Sequence, residues 1–336
     1  MLASRFATAT GIGSWPGTSA RDAAEVVVGE LHTMPHLVEL PGRGVGADMI
    51  GRAGALLVDI AIDTVPRGYR LAARPTAVTR RAASLLREDI DALEEACERA
   101  GAPVAGRVVK VQAPGPITLA AALELRGGHR AITDPGAVRD LAASLAEGLK
   151  SHTAEVGRRV GATVVIQLDE PSLPAALAGR LAGVTGVTPV HPVAEILAIE
   201  LLDVCAAHGE VAVHCCAADI PWKVLQRSMI TAVSIDATTL DPADLDGVGE
   251  FVESGRTALL GVVPVVAPAR RPTVEEIALA AAAVTDRLGF PRRILRERIG
   301  ITPGCGLAGA TPQWARTAIE LCRRTADGLA QDPDGI

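Results

Sequence analysis

Short runs rich in Val, Ile and Leu alternate along this chain with longer Ala-, Leu-, Glu- and Arg-rich stretches of helical period. That alternation is the signature of a parallel sheet whose strands are joined by helices. The clearest strand candidates are 108–112, 163–169, 210–215, 232–236, 258–263 and 298–302, with helices expected over 82–100, 136–158, 195–208, 273–288 and 312–328. Adding ATGIG at 9–13 and LLVDI at 56–60 makes eight strands, the number that closes a (β/α)8 barrel. Aromatic residues are only 2% of the chain against 49% hydrophobic overall, so the core must be built from Ala, Val, Leu and Ile. No repeat or low-complexity linker divides the 336 residues, and a single α/β barrel domain is expected. Segment 32–52 reads as an irregular Gly/Pro-rich insertion that could wall a pocket, and the polar tail 326–336 is expected to fray.

Charge excludes several partners. The net charge is -6, from 39 acidic and 33 basic residues without long runs, which leaves no electrostatic footprint for nucleic acid or an anionic membrane. One Tyr and three Phe offer little for bases to stack on. No apolar stretch reaches the roughly 20 residues that span a bilayer, and the opening MLASRFATATGIG lacks a signal-peptide pattern, so a cytoplasmic location is expected. The six cysteines are widely scattered, unlike a secreted disulfide framework, and are free to act as thiolates in a reducing compartment.

The sharpest local signal is VAVHCCAADIP at 211–221, a strand ending in His-Cys-Cys. Side chains alternate along a strand, so His214 and Cys216 share one face and Cys215 takes the other. The last strand runs into TPGCGLAG and puts Cys305 in a Gly-rich turn. Zinc favours tetrahedral N/S coordination, and a reactive site keeps one position open beside three protein ligands. His214, Cys216 and Cys305 form such a set. Two thiolates suit the metal to holding a substrate thiol better than to polarising water. Asp236, at the end of the strand between, is either a fourth ligand displaced by substrate or an acceptor that orients His214. Cys97, Cys205 and Cys322 lie in helical patterns and are expected to be core residues.

Other polar groups end strands as well. VIQLDEPSLP places Gln167 and Asp169 on one face, and Asp169 is expected to hold a substrate ammonium, with Glu170 the more structural neighbour. GIGSWPGT at 11–18 offers Ser14 and glycine-freed amides to a carboxylate. His32 and His36, in the early segment with Glu39, are expected to be solvated or packed in a loop, and Arg43 and Arg52 could line the pocket.

Together these motifs resemble the catalytic carboxyl-terminal half of cobalamin-independent methionine synthases. TGIGSWPGT, APGPIT, QLDEPSLP, VHCC and PGCGL occur in that family's order over nearly the whole chain. The resemblance implies a TIM-type barrel that carries zinc and moves a methyl group from methyl-tetrahydrofolate to homocysteine, giving methionine. It implies zinc ligation by His214, Cys216 and Cys305, with Asp236 matching a glutamate ligand but one methylene shorter. Asp169 and Glu39 match groups on the homocysteine amino function, and Ile12, Gly13 and Ser14 the segment holding its carboxylate. Two departures stand out: at 336 residues the sequence is expected to be too short to include the amino-terminal half that helps bind polyglutamylated folate, and GVVPVVAP at 261–268 carries no acid, base or aromatic group. A methylated corrinoid protein or another methylated cofactor is therefore the expected donor. Two other readings stay open: a relative acting on a different small thiol, and a non-catalytic zinc-binding protein with a vestigial site.

Overall fold

The computed structural model describes residues 4–101, 107–183 and 190–335. Its strands, in chain order, are β1 Ala61–Val65, β2 Gly68–Ala72, β3 Val108–Pro114, β4 Leu123–Glu124, β5 Thr163–Asp169, β6 Val211–His214, β7 Ala232–Asp236, β8 Thr257–Val263 and β9 Ile299–Pro303. Six of them form one all-parallel sheet in the order β3-β5-β6-β7-β8-β9, and a small second sheet pairs β1, β2 and β4. Sequence order is thus kept across the main sheet, with at least one helix between each pair of neighbouring strands.

Local chemistry sets where those helices begin. Asp134 caps the helix Pro135–Val160 by accepting from the amides of Gly136 and Ala137, and the helix ends on Gly161 at φ 63°. Thr273 with Glu276, and Asp241 with Asp244, close reciprocal capping boxes at the starts of Val274–Arg287 and Pro242–Glu253.

Both faces of the sheet are buried, and the strand period of two sorts them. Val109, Val111, Ile166, Leu168, Val213, Val233 and Leu260 pack with the helices in the large outer core. Val108, Val165, Ala212, Ala232 and Leu259 point the other way and join Phe6 and Met34 in a separate inner cluster. Moving along the strands on that inner face, Val108 gives way to Lys110 and Gln112, Val165 to Gln167 and Asp169, Ala212 to His214, and Ala232 to Ser234 and Asp236. An apolar floor therefore lies under a polar layer that opens toward the carboxyl ends, where parallel α/β proteins bind ligands.

Short extended segments bridge the edges of the sheet. Ile301 of β9 donates to Thr8 O at 3.0 Å and accepts from Thr10 N at 3.2 Å; Glu39 N donates to Gly13 O at 3.1 Å; Lys110 N of β3 donates to Pro35 O at 2.9 Å. Parallel bridges Ala9–Ile301, Ser14–Glu39 and His36–Lys110 mark the same path. The curled sheet is consistent with the expected barrel, with one correction. The run 56–60, expected as a strand, contains none; it follows the helix Met49–Ala53 as a turn, and the second edge segment lies instead at 33–39, inside the stretch expected to be irregular. Residues 56–58 are held by helix Pro135–Val160: Ser144 Oγ donates to Val58 O at 2.7 Å, and Gly148 leaves room for the Leu56 carbonyl, which an added Cβ would meet at 1.8 Å.

At the other end, helix Pro312–Gln331 takes in the first part of the tail expected to fray, because Leu329 is buried against the core. Residue 336 lies outside the described residues. No helix among the described residues is long and apolar enough to cross a membrane.

Candidate active site

His214 closes β6, Cys216 follows two residues later, and Cys305 lies two residues beyond β9. One ligand atom from each of the three lies within 4.8 Å of the others, and the two sulfurs are 3.4 Å apart. Proton sharing between them pulls the Cys305 thiol well below its usual range, His214 adding to the effect, and pushes Cys216 up. His214 Nδ1 contacts Ser234 Oγ at 3.1 Å, while its Nε2 is buried without a hydrogen-bond partner. An orphaned imidazole nitrogen beside two thiols is the donor set that fits zinc: Zn–S bonds of about 2.3 Å in tetrahedral geometry put two sulfurs about 3.8 Å apart. Ser234 on the second ring nitrogen is the kind of contact that fixes a ligand's tautomer. Cys215, by contrast, is fully buried, which raises its thiol to about 11.

Asp236 stands apart from this group. Its Oδ1 accepts from Thr238 N at 2.9 Å and Thr238 Oγ1 at 2.6 Å, and Ser234, not Asp236, contacts His214. Its carboxylate also flanks the turn carrying Cys305, since a Cβ on Gly304 would come within 3.0 Å of Oδ2. With one methylene fewer than glutamate, the side chain is satisfied by its own loop.

The three ligand candidates line a cavity of about 320 Å³ together with Ile12, Ser14, Glu39 and Asp169. Gly13 lies just behind this wall: at φ 146° it takes a conformation that favours glycine, and a Cβ would meet the Gln112 side chain at 2.7 Å. Its carbonyl accepts from Glu39 N, and Trp15 N donates to Glu39 O at 2.8 Å, so the 12–15 segment and Glu39 are fixed to each other.

Both pocket carboxyls are buried. Burial raises Glu39 to about 7 despite the opposing charge of Arg52, 3.7 Å away. Burial likewise raises Asp169, with His214 and Lys110 opposing, and Asp169 Oδ1 accepts from Gln167 Nε2 at 2.7 Å. Arg52 and Lys110 thus offset the burial of these carboxyls only in part, leaving room for a further cation. Arg52 is itself held by Asp89, which Arg43 also contacts at 2.6 Å. The two arginines thus act as a buried brace behind Glu39, with only Arg52 reaching it.

Glu170 takes the structural part. It accepts from Ile117 N and Thr118 N, both at 2.9 Å, and from Thr118 Oγ1 at 2.7 Å, pinning the Gly115–Pro116 loop; burial raises it to about 7. Of the two expectations for His36, packing is the one met. It is buried with neither ring nitrogen hydrogen-bonded, and burial first, then Lys110, lowers its pKa well below the usual value. His32 is exposed. Lys110, Gln112 and Ser234 join the site with no motif to mark them, although a lysine and a glutamine two apart in VVKVQ already break an apolar strand on one face.

A His-Cys-Cys group beside two buried carboxyls, at the carboxyl ends of a parallel sheet, defines an α/β protein built around a candidate metal site. The profile of the cobalamin-independent synthase catalytic domain matches residues 6–328, and the chain belongs to that family. The resemblance carried by the five sequence motifs is borne out. A B12-independent methionine synthase from Shewanella sp. W3-18-1, solved in complex with selenomethionine, is similar in fold at 14% identity with a TM-score of 0.62, covering 97% of this chain and 98% of that one. A methyltransferase from Methanosarcina mazei is similar at 13% identity with a TM-score of 0.59, over 96% and 94% of the two chains. No curated protein matches the sequence.

Proposed function

We propose that this chain is a zinc-dependent methyltransferase acting on a small thiol, with homocysteine the expected acceptor and methionine the product. The observation that carries the reading is the convergence of His214, Cys216 and Cys305 on the same cavity as Glu39 and Asp169. Residues 1–336 would form a single TIM-type (β/α)8 barrel, with 8–14 and 33–39 as its first two strand positions and β3, β5, β6, β7, β8 and β9 as the other six.

Zinc held by His214, Cys216 and Cys305 would lower the pKa of an incoming thiol so that it reacts as a thiolate. Ser234 keeps the imidazole turned with Nε2 toward the ligand group. Asp236 is the proposed fourth ligand, a role in which its carboxylate would have to leave Thr238 and turn toward the group of three. Asp169 and Glu39 receive the substrate ammonium, and Ile12, Gly13 and Ser14 receive its carboxylate, so the sulfur is presented at a fixed distance and angle. The sulfur electron pair forms the new S–CH3 bond while the bond from methyl to its donor breaks, the donor keeping that pair and the thiol proton passing to solvent.

A donor other than folate, a methylated corrinoid protein or methylated cofactor, is favoured by the loop after β8. Pro264 O accepts from Trp314 Nε1 at 3.0 Å, Val266 is 68% exposed, and residues 264–268 carry no acid or base to protonate a folate leaving group. Two thiol ligands demand a reducing compartment, in keeping with a cytoplasmic location. Zinc-loaded protein supplied with homocysteine and methylcobalamin should give methionine, and methyl-tetrahydrofolate should be the poorer donor. No methyl transfer from either, to homocysteine or to other small thiols, would leave the vestigial-site alternative standing.

A further inference from the structure

Lys110 lies in the middle of β3, fully buried beneath the cavity. Its Nζ donates to Gln167 Oε1 at 2.8 Å and Ile12 O at 3.0 Å, with Gln112 Oε1 at 3.4 Å, all of them neutral acceptors. An ammonium buried without a carboxylate in contact is costly. The charges it serves lie beyond these acceptors: burial lowers the Lys110 pKa to about 8, and Asp169 and Glu39 both oppose that fall.

Gln167 connects the two ends. Its Oε1 faces Lys110, and its Nε2 donates to Asp169 Oδ1 at 2.7 Å and to Ile12 O at 2.8 Å. Only one orientation of that amide satisfies all three neighbours. Flipped, it would turn its NH2 toward an ammonium and its oxygen toward a carbonyl and a carboxylate. Lys110 on one side of the amide, and Ile12 O with Asp169 on the other, hold the same rotamer, which leaves Asp169 with a donor on one oxygen and aims its carboxylate. Without the lysine, nothing holds the Gln167 oxygen on that side, and the amide is free to turn its donor away from Asp169.

We propose that Lys110 is a positioning residue which, through Gln167, sets Asp169 to receive a substrate ammonium and so makes the pocket select α-amino thiols over thiols lacking the amino group. This deepens the thiol-binding reading above and rests on it. The selectivity belongs to the buried Lys110–Gln167–Asp169 chain and not to the metal ligands.

Calorimetric titration of the zinc-loaded protein with homocysteine and with 4-mercaptobutyrate, the same thiol acid without its amino group, tests it. The wild type should prefer homocysteine; Lys110→Met should weaken homocysteine about tenfold or more while leaving 4-mercaptobutyrate and zinc content unchanged. Gln167→Met keeps the lysine but cuts the connection, and should show the same selective loss, which covers the case in which Lys110→Met does not fold. Equal weakening of both thiols in the folded variants, or no weakening of either, overturns the proposal. A wild type that binds both thiols equally overturns it too while sparing the methyltransferase reading, whereas a zinc-loaded wild type that binds neither overturns both.

Discussion

Asp169 and His214 stand directly opposite each other in the register of β5 and β6. The carboxyl proposed to hold the substrate amine and the imidazole proposed to hold the metal are thus neighbours on adjacent strand ends. Both side chains line the same cavity as Cys216 and Cys305.

Metal content should follow the face of each cysteine. Cys216→Ser and Cys305→Ser should each purify with little zinc, because a hydroxyl is a poor replacement for a thiolate ligand. Cys215→Ser should retain near-normal zinc, since its buried side chain lies outside the ligand group. Elemental analysis of the three variants beside the wild type decides this, and equal zinc in all four would remove the proposed site.

Ser234 is expected to act on the metal through His214. Losing the hydroxyl 3.1 Å from Nδ1 frees the ring to rotate, and changes of this kind typically weaken metal affinity by about 10- to 100-fold. Competition of Ser234→Ala against a chromophoric zinc chelator measures the effect, with an unchanged affinity counting against a ligating Nε2.

How far the sequence exposes this architecture depends on the kind of signal each piece carries. The strands at 163–169 and 232–236 are legible to the residue because β-branched runs there stop at polar ends. The edge segment around 36–39 is hidden, since Pro35 and Pro41 bracket it and His36 and Glu39 replace the expected apolar pattern. The run at 56–60 misleads for the opposite reason: Leu56 and Leu57 are apolar because a helix covers them, not because they pair in a sheet. Ile12, Ser14, Glu39, Asp169 and the three ligand candidates, all singled out by residue type and motif order, line one cavity. Lys110 escapes because its meaning depends on Gln167 and Ile12, which are far away in sequence and adjacent only after folding.

Asp169→Asn should separate binding from folding. The amide is nearly isosteric and can keep a contact with Gln167 after a flip, but it cannot neutralise an ammonium. Loss of one charge-assisted hydrogen bond is worth roughly 1.5–3 kcal/mol, so the KM for homocysteine should rise by about 10- to 100-fold with little change in thermal stability. An unaltered KM would show that the amino group binds elsewhere.

Glu170 gives a test in pH. Its carboxyl is raised by burial to about 7, so the folded protein binds this proton more tightly than the unfolded chain does. Its contribution to stability is fully present below the ordinary carboxyl pKa and is lost as pH rises through about 7. Urea unfolding of wild type and Glu170→Gln from pH 4.5 to 8 should show the wild type losing stability relative to the variant as pH increases. A difference that stays flat, or that grows in favour of the wild type, would mean the three donors from Ile117 and Thr118 outweigh burial and keep this carboxylate charged.

Gly13→Ala asks whether the pocket wall tolerates any side chain. At φ 146° an L-residue is strained whatever the space around it, and the new methyl would also lie 2.7 Å from Gln112. Strain of this kind costs of order 1–3 kcal/mol, visible as a lowered urea midpoint. The displacement has a direction as well: Gln112 Nε2 donates to Leu37 O at 2.5 Å, and Gly13 O accepts from Glu39 N, so pushing Gln112 aside disturbs both sides of the wall that carries Glu39. Homocysteine affinity should therefore fall along with stability, while zinc content holds, because His214, Cys216 and Cys305 are carried by β6 and the turn after β9. Full thiol affinity in a stably folded Gly13→Ala protein would show that the 12–14 segment does not shape the substrate site.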